Sequence, residues 1–297
     1  MSSSRAPTDN ACSPSGRVRQ ELAIRVPSPP PARLTNWLAE HTGLSHERIK
    51  DALAKGAVWH APVGRRAERV RRVTRRLASG DVVSLYYDSE VLACKPPSPR
   101  LITSEHHYSV WEKPPGLLME GSRFGDHATV ERLVAQLTGR PVWLPHRLDR
   151  DAGGLILVAH TRDGAARLSA LFRERIISKQ YHAEVSGHPA AGIAAARVAD
   201  TGERVIDSPL DDKPSRTRFH VLTHDAARDA SVLRVAIETG RYHQIRRHLA
   251  GIGHPILGDP IHGGRPDPRG LRLRATALSF VDPWDGGERR YELAGLD

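Results

Sequence analysis

The sequence predicts an α+β fold with two structured parts, a small N-terminal one and a larger C-terminal one. Short apolar strands and amphipathic helices are mixed without regular alternation, which disfavours a doubly wound parallel sheet. The 297 residues suffice for one sizeable core and a smaller companion. A proline-containing stretch at 88–105, which we interpret as a linker, separates the two parts.

The chain starts with a polar segment. Residues 1–31 are rich in serine, proline and arginine and lack hydrophobic periodicity, so we predict a disordered tail. We find no secretory signal and no stretch near the ~18 apolar residues that a membrane helix needs. Cys12 and Cys94 form neither a disulfide framework nor a thiolate metal site. We therefore expect a cytoplasmic protein without membrane association.

The small part, 32–87, begins with two predicted helices. Helical spacing of apolar residues runs from Leu34 to Gly43, and Ser45 caps a second helix that stops at Gly56. Short strands are predicted at 57–60 and 82–86.

Most of the net charge of +10 lies in this part. Residues 33–80 contain 11 Arg or Lys and 4 Asp or Glu, whereas 81–297 contain 29 and 28. Clustered positive charge repels itself unless a polyanion relieves it, and a phosphate backbone is the usual polyanion. We therefore expect nucleic-acid contacts from the basic side chains Arg48, Lys50, Lys55, Arg65, Arg66, Arg69, Arg71, Arg72, Arg75 and Arg76.

The larger part, 106–297, contains predicted strands at 109–112, 154–159, 181–185 and 233–237, and helices at 129–137, 164–173 and 243–250. A loop dense in charge and glycine leads directly into the second strand, and it reads Pro145-His146-Arg147-Leu148-Asp149-Arg150-Asp151-Ala152-Gly153. Polar residues directly before a buried strand are well placed for catalysis, because the strand fixes them and the loop exposes them. A solvated turn with one ion pair accounts for the same residues.

A second motif reads Thr239-Gly240-Arg241-Tyr242-His243-Gln244-Ile245-Arg246. Arg246 and Leu249 lie one turn apart on a helix that begins near His243, so the arginine can reach inward to a carboxylate. His243, His248 and His254 match no common metal-ligand spacing, and we predict no metal site.

Two further motifs carry less information by themselves. Lys179, Tyr181 and Ala183 share one face of a strand, where a tyrosine is ordinarily part of the core with its hydroxyl at the edge. The run Lys113-Pro114-Pro115-Gly116 ends another strand in a rigid turn.

Taken in order, these four segments resemble the RluA-type pseudouridine synthase family. The family block H-R-L-D-x-x-T-S-G-L is similar to 146–155, and the family's lysine-proline-x-glycine turn and K-x-Y-x-A strand resemble 113–116 and 179–183. The block T-G-R-x-H-Q-I-R with its trailing G-H-P-I-x-G-D resembles 239–259, and the whole match extends from about 107 to 280. More loosely, 33–86 resembles the αL-motif RNA-binding domain of many members.

This resemblance implies a mixed, largely antiparallel central sheet with flanking helices. It also implies an enzyme that isomerises specific uridines in ribosomal or transfer RNA by cleaving the glycosidic bond, turning the base and rejoining it through carbon. No cofactor is implied; RNA is the expected partner, and we expect a monomer. The target uridine must leave its stack to be reached.

The resemblance also implies roles for individual residues. Asp149 is the essential carboxylate, acting on the anomeric carbon or on its neighbour, and Arg246 is its countercharge. Tyr181 packs on the detached base, and Arg147 fills the space that the uridine vacates. The remaining expected substrate-binding residues are His146, His243, Gln244 and Leu249, the last of which is expected beneath the uracil.

The chain departs from the family pattern at two places. Ala152-Gly153 replaces Thr-Ser, which we expect to alter the rigidity of the loop more than its chemistry, and Tyr242 replaces a frequent threonine.

The sequence also bears on two other functions. A non-catalytic RNA-binding or ribosome-assembly protein should have lost Asp149, Tyr181 or Arg246, and none is lost. A hydrolase using Asp149 or Asp151 with His146 lacks an accompanying nucleophile motif.

Overall fold

The computed structural model describes residues 16–189, 197–198 and 203–296, and it divides into two compact units. The first unit extends to Lys95 and also takes in Gly121–His127. The second comprises Pro96–Glu120 and the chain from Ala128 onward. The sequence did not indicate that 121–127 would join the first unit.

The first unit is a four-stranded antiparallel sheet with three helices. The sheet order is β1-β4-β2-β3. Gly43 ends the first helix in a left-handed conformation, and the Ser45 side chain caps the second by accepting a hydrogen bond from Arg48 N. The elements are β1 (Arg19–Arg25), α1 (Leu34–Thr42), α2 (His46–Ala54), β2 (Val58–Ala61), β3 (Glu68–Arg69), β4 (Val82–Asp88) and α3 (Ser89–Ala93).

Strand β1 corrects the prediction of a disordered tail at 1–31. Arg19 pairs with Asp88 and Arg25 with Val82 of β4, so the tail prediction is wrong for Arg19–Arg25. The partner strand lies some sixty residues away in sequence, and local composition carries no sign of it. Residues 1–15 of the predicted tail lie outside the described residues.

The predicted linker at 88–105 is also too long. Asp88 ends β4 and caps α3 by accepting hydrogen bonds from the backbone N–H groups of Glu90 and Val91. A further strand, β5 (Arg100–Ser104), follows, so only 94–99 and 105 of this stretch lie outside helices and strands. The prolines mark this short interval and not the whole stretch.

The second unit is built on a ten-stranded sheet, and it confirms the α+β prediction. The strand order is β5-β6-β7-β13-β8-β12-β11-β10-β9, with β14 beside β13, and among the described strands only the pair β7–β13 is parallel. The further elements are β6 (Tyr108–Lys113), α4 (Val130–Thr138), β7 (Gly153–Ala159), α5 (Arg162–Arg173), β8 (Ser178–Ser186), β9 (Arg197–Val198), β10 (Arg204–Asp207), β11 (Arg216–Asp225), β12 (Ala230–Ile237), α6 (Gln244–Gly251), β13 (Leu273–Val281) and β14 (Glu288–Glu292).

Strand β13 relates two predicted site segments to each other. Ala275 stands opposite Gly154 of β7 on one side and opposite Tyr181 of β8 on the other. Gly154 has φ 113, and a Cβ there would overlap the carbonyl oxygen of Ala275. Glycine is thus required where the charged loop enters β7.

The sheet is covered on both faces around this point. Ile156 and Val158 pack into one core cluster, while Leu155 and Leu157 pack into another. A strand buried on both faces carries a continuous apolar run, as 155–158 does. Among the described residues, no helix combines the length and apolar character that a bilayer crossing requires.

Candidate active site

A cavity of about 540 Å³ opens in the second unit where the charged loop, β8 and the start of α6 meet. Asp149, Tyr181 and Arg246, which the sequence singled out from three separate motifs, all line it. Four other predicted substrate-binding residues line it as well, namely His146, Arg147, His243 and Gln244.

Asp149 and Arg246 form an ion pair inside this cavity. Arg246 Nη1 donates to Asp149 Oδ2 over 3.3 Å. The arginine side chain is only 2% exposed, whereas the aspartate side chain is 25% exposed. The pair therefore consists of a buried, fixed cation and a carboxylate that an incoming molecule can touch.

Asp259 fixes the direction of Arg246. Its two carboxylate oxygens accept from Arg246 Nε and Nη2, each over 2.7 Å, which is a bidentate geometry. Burial opposes the ionisation of Asp259, but the hydrogen bonds from Arg246 and from backbone N–H groups prevail and lower its pKa. Asp259 ends the motif at 239–259, and its role emerges only in the folded structure, where it lies beside the buried Arg246.

His243 extends the network. Arg246 Nη1 donates to His243 Nε2 over 2.9 Å, and His243 Nδ1 is 2.9 Å from His262 Nε2. Because a guanidinium can only donate, Nε2 must carry a lone pair and Nδ1 the proton, which His243 gives to His262. Burial lowers the pKa of His243, in agreement with this neutral form.

Tyr181 is buried in the cavity wall. Burial first, and the nearby Asp149 charge second, raise the pKa of its phenol well above the ordinary value. The hydroxyl is therefore neutral and can donate or accept a hydrogen bond, and the residue lines the cavity.

The loop that carries Asp149 is anchored from below. Lys113 Nζ and the backbone N–H of Gly116 both donate to the carbonyl oxygen of Arg150 over 2.8 Å. A Cβ at Gly153 would approach Pro115 Cδ to 3.2 Å, which is tight. These contacts fix the loop at Ala152-Gly153, the position at which the family commonly has Thr-Ser. Burial lowers the pKa of Lys113 to about 7.

Two of the predicted substrate-binding residues are engaged with the protein itself. His146 Nε2 accepts from the backbone N–H of Leu157 over 2.9 Å, and its ring stacks on Phe172. The Gln244 amide oxygen accepts from Thr239 Oγ1 and Arg241 N, and its NH₂ group donates to Arg216 O and Thr217 Oγ1.

Leu249, which was expected to pack beneath the uracil pocket, does not itself reach the cavity. It is fully buried in the core and is not among the residues that line the cavity. Ile245, one turn earlier on α6, and Leu273 of β13 supply the apolar lining instead. The reason is geometric, because residues four apart on a helix lie one turn apart along its axis, and only the first turn of α6 reaches the cavity.

No metal centre is apparent in the described part of the chain. Within 16–189, 197–198 and 203–296, no group of three or more His, Cys, Asp or Glu residues is arranged to hold a metal ion. His248 bonds to Thr217 and Ser208, and His254 bonds to Ser186, so these histidines serve separate loops.

The basic residues predicted in the first unit fall into two sets. Lys55 is bonded to Asp51 and to Leu92 O, Arg71 is paired with Asp126, and Arg69 lies 4.3 Å above the Trp59 ring. Arg75 is exposed, and its Nε donates to His60 Nδ1. The other exposed residues of the predicted set make no ion pair with the described residues, and they are Arg48, Lys50, Arg65, Arg66, Arg72 and Arg76.

Comparisons with known proteins agree with this geometry. The family model described as RNA pseudouridylate synthase matches residues 107–251. The chain is 30% identical over 280 residues to ribosomal large subunit pseudouridine synthase D of Zymomonas mobilis, covering 84% of the chain and 86% of that relative. It is 33% identical over 209 residues to ribosomal large subunit pseudouridine synthase C of Escherichia coli K12, covering 65% of each. Human RNA pseudouridylate synthase domain containing 1 superposes with a TM-score of 0.54 at 26% identity, covering 68% of the chain and 86% of that structure.

Proposed function

Because the chain belongs to the RNA pseudouridine synthase family, an isomerase family that converts uridine to pseudouridine in RNA, we propose that its targets are specific uridines of ribosomal RNA. The relatives named for the large ribosomal subunit support this substrate class. The proposed substrate implies a cytoplasmic enzyme, and we propose that it acts as a monomer without a cofactor.

In this proposal Asp149 is the reacting carboxylate. The observation that carries it is the ion pair with Arg246, which is itself clamped by Asp259. A guanidinium held at 3.3 Å places a positive charge beside the carboxylate and points one oxygen in a fixed direction. One carboxylate suffices because uracil leaves as a delocalised anion, unlike the alkoxide of ordinary glycoside hydrolysis.

Asp149 then adds to the anomeric carbon of the flipped uridine or takes a proton from the neighbouring carbon. Either step frees the base to turn within a cavity large enough for one nucleoside. Tyr181 packs against the detached base, and its neutral hydroxyl donates a hydrogen bond to a uracil oxygen. Arg147, exposed at the cavity rim, occupies the space that the uridine leaves in the RNA.

The first unit supplies affinity for the RNA backbone in this proposal. Positive charge without carboxylate partners among the described residues is presented by Arg48, Lys50, Arg65, Arg66, Arg72 and Arg76. Lys55, Arg69 and Arg71 support the fold of the unit, and we assign them no direct RNA contact.

The hydrolase alternative is weakened by two contacts. His146 Nε2 already accepts a backbone hydrogen bond, so it cannot act as the base for a water molecule without losing that bond. Asp151 pairs with Arg150 over 2.9 Å. A hydrolase would release free uracil, whereas an isomerase leaves the mass of the RNA unchanged.

The proposal is tested by mapping pseudouridine in total RNA from cells with and without the gene. We expect loss of pseudouridine at one or a few sites of large-subunit ribosomal RNA on deletion. The wild-type gene should restore these sites, and Asp149→Ala should not. Unchanged pseudouridine at every site, or restoration by Asp149→Ala, would contradict the proposal.

A further inference from the structure

Tyr242 is an unusual side chain on the surface of the second unit. Its exposed fraction is 70%, and every other Phe, Trp or Tyr among the described residues is buried or half-buried. An aromatic ring contributes to stability mainly through the area that it buries, and most of this ring is uncovered. Its hydroxyl makes no hydrogen bond with the described residues, so the fold does not account for the ring.

The one face of Tyr242 that is covered rests on His243. The two ring centroids are 3.8 Å apart and the planes are inclined by 19°, which is a stacked arrangement. With one face covered and 70% of the residue exposed, the opposite face must be open. This open face is flat and apolar, and it is not shared with another ring.

His243 fixes the position of that face relative to the reacting carboxylate. Its Nε2 lies 3.8 Å from Asp149 Oδ2 and accepts from Arg246, while its Nδ1 donates to His262. Its backbone is left-handed, with φ 51, at the position immediately before α6. The Tyr242 ring is therefore stacked on His243, a residue that lines the cavity.

We propose that the open face of Tyr242 is a stacking subsite for the nucleobase adjacent to the target uridine in the RNA. This inference rests on the proposed function. A uridine that enters the cavity leaves its neighbour without a stacking partner on one side. An aromatic face beside the cavity restores that partner, and stacking of this kind tolerates any base. Arg241, the preceding residue, lines the cavity at the same rim and adds positive charge for the adjoining phosphate.

The experiment compares Tyr242→Phe and Tyr242→Leu in the full-length protein. Phenylalanine retains the ring, and leucine retains apolar bulk without a flat face. The substrate is a synthetic RNA fragment that carries the uridine found by the mapping experiment. We expect Tyr242→Phe to keep kcat/KM within about twofold and Tyr242→Leu to lose about 5- to 150-fold, the range for one stacked base. Thermal unfolding of both variants should match the wild type.

A second arm uses RNA with an abasic site at the 5′ or the 3′ neighbour of the target. At one of these positions the abasic substrate should cost the wild type as much as Tyr242→Leu does, and the variant should lose little more. Equal kcat/KM for Tyr242→Leu and wild type would overturn the subsite. The subsite would also be overturned if the loss from Tyr242→Leu and the loss from the abasic site multiplied at both the 5′ and the 3′ neighbour. Either result is distinct from failure of the proposed function, in which the wild type would form no pseudouridine.

Discussion

The two units of the chain use arginine in different surroundings. In the second unit, Arg246 is 2% exposed and its donors reach Asp149, Asp259 and His243. In the first unit, Arg65, Arg66 and other arginines of the run 65–76 are exposed without carboxylate partners among the described residues. A buried, fully bonded guanidinium fixes the direction of one acceptor, whereas an exposed one attracts polyanions over a distance and can rearrange.

The same contrast is repeated inside the basic run. Arg69 and Arg71 turn back onto the unit, where they share Asp126, while their neighbours remain outward. Sequence composition counts these side chains alike. The structure therefore separates charges that support the fold from charges available to RNA, and substitutions can test this separation.

The largest expected effect is on catalysis alone. Asp149→Asn keeps the shape of the side chain but removes the charge that Arg246 faces, and we expect the single-turnover rate to fall on the order of 10⁴-fold. RNA affinity should stay within a few-fold of the wild type, because the basic surface is in the other unit. Single-turnover rates and filter binding measure the two quantities. Equal losses of rate and of RNA affinity would contradict the proposal that catalysis and RNA binding depend on different units.

The next effect is on stability. Asp259→Asn leaves Arg246 buried with only Asp149 as countercharge, and breaking a buried ion pair in this way costs about 3–5 kcal/mol. Asp211→Asn is the matched control, because Asp211 pairs with Arg247 at the exposed surface. Urea unfolding should show a large loss for the first variant and little for the second. Similar losses for both would mean that the buried Arg246–Asp259 pair contributes no more to the free energy of unfolding than an exposed pair.

A smaller effect concerns pH. Burial lowers the pKa of His146 to about 3 from an ordinary 6.5, so the unfolded chain binds a proton that the folded chain does not between these values. Stability is therefore lost as pH falls from 6.5 toward 3. His146→Gln should remove up to one proton from this dependence, about 1.4 kcal/mol per pH unit at most.

Urea unfolding at pH 4, 5, 6 and 7 measures this slope. His146→Leu should flatten the slope equally but lower stability at pH 7, because the Leu157 N–H loses its acceptor. An unaltered slope in both variants would show that His146 does not contribute to acid sensitivity.

The smallest effect is on RNA affinity. Arg65→Gln and Arg66→Gln should each weaken binding by a few-fold and reduce the slope of log K against log[salt] by about 0.7 per lost contact with single-stranded RNA. The rate at saturating RNA should not change. Arg71→Gln is the control from the same run, and we expect it to destabilise the first unit through loss of its contact with Asp126. If Arg71→Gln alters the salt slope as Arg65→Gln does, the distinction within the run fails.

Local signals predicted the elements that depend on nearby residues. Gly43 and Ser45 mark helix ends through their own conformation and side chain, and the apolar run 155–158 forms a strand buried on both faces. Asp149, Tyr181 and Arg246 were identified from motifs, and they line one cavity. Their catalytic roles stay predictions.

Features that depend on distant partners were missed. Strand β1 exists because β4 offers it an edge, and nothing within 19–25 reveals that edge. Asp259 becomes important only when folding buries Arg246 beside it. The inward direction of Arg69 and Arg71 depends on Asp126, which is more than fifty residues away in the sequence.

The shared register of Ala275 with Gly154 and Tyr181 has a consequence for what the enzyme accepts. Gly154, where the loop bearing the carboxylate enters β7, and Tyr181 of β8 are separated by two strand spacings, about 9.6 Å. Backbone ladders set that width, and no rotamer change can widen it. The point from which the carboxylate loop departs is therefore fixed relative to the strand that carries the phenol, whatever RNA is bound.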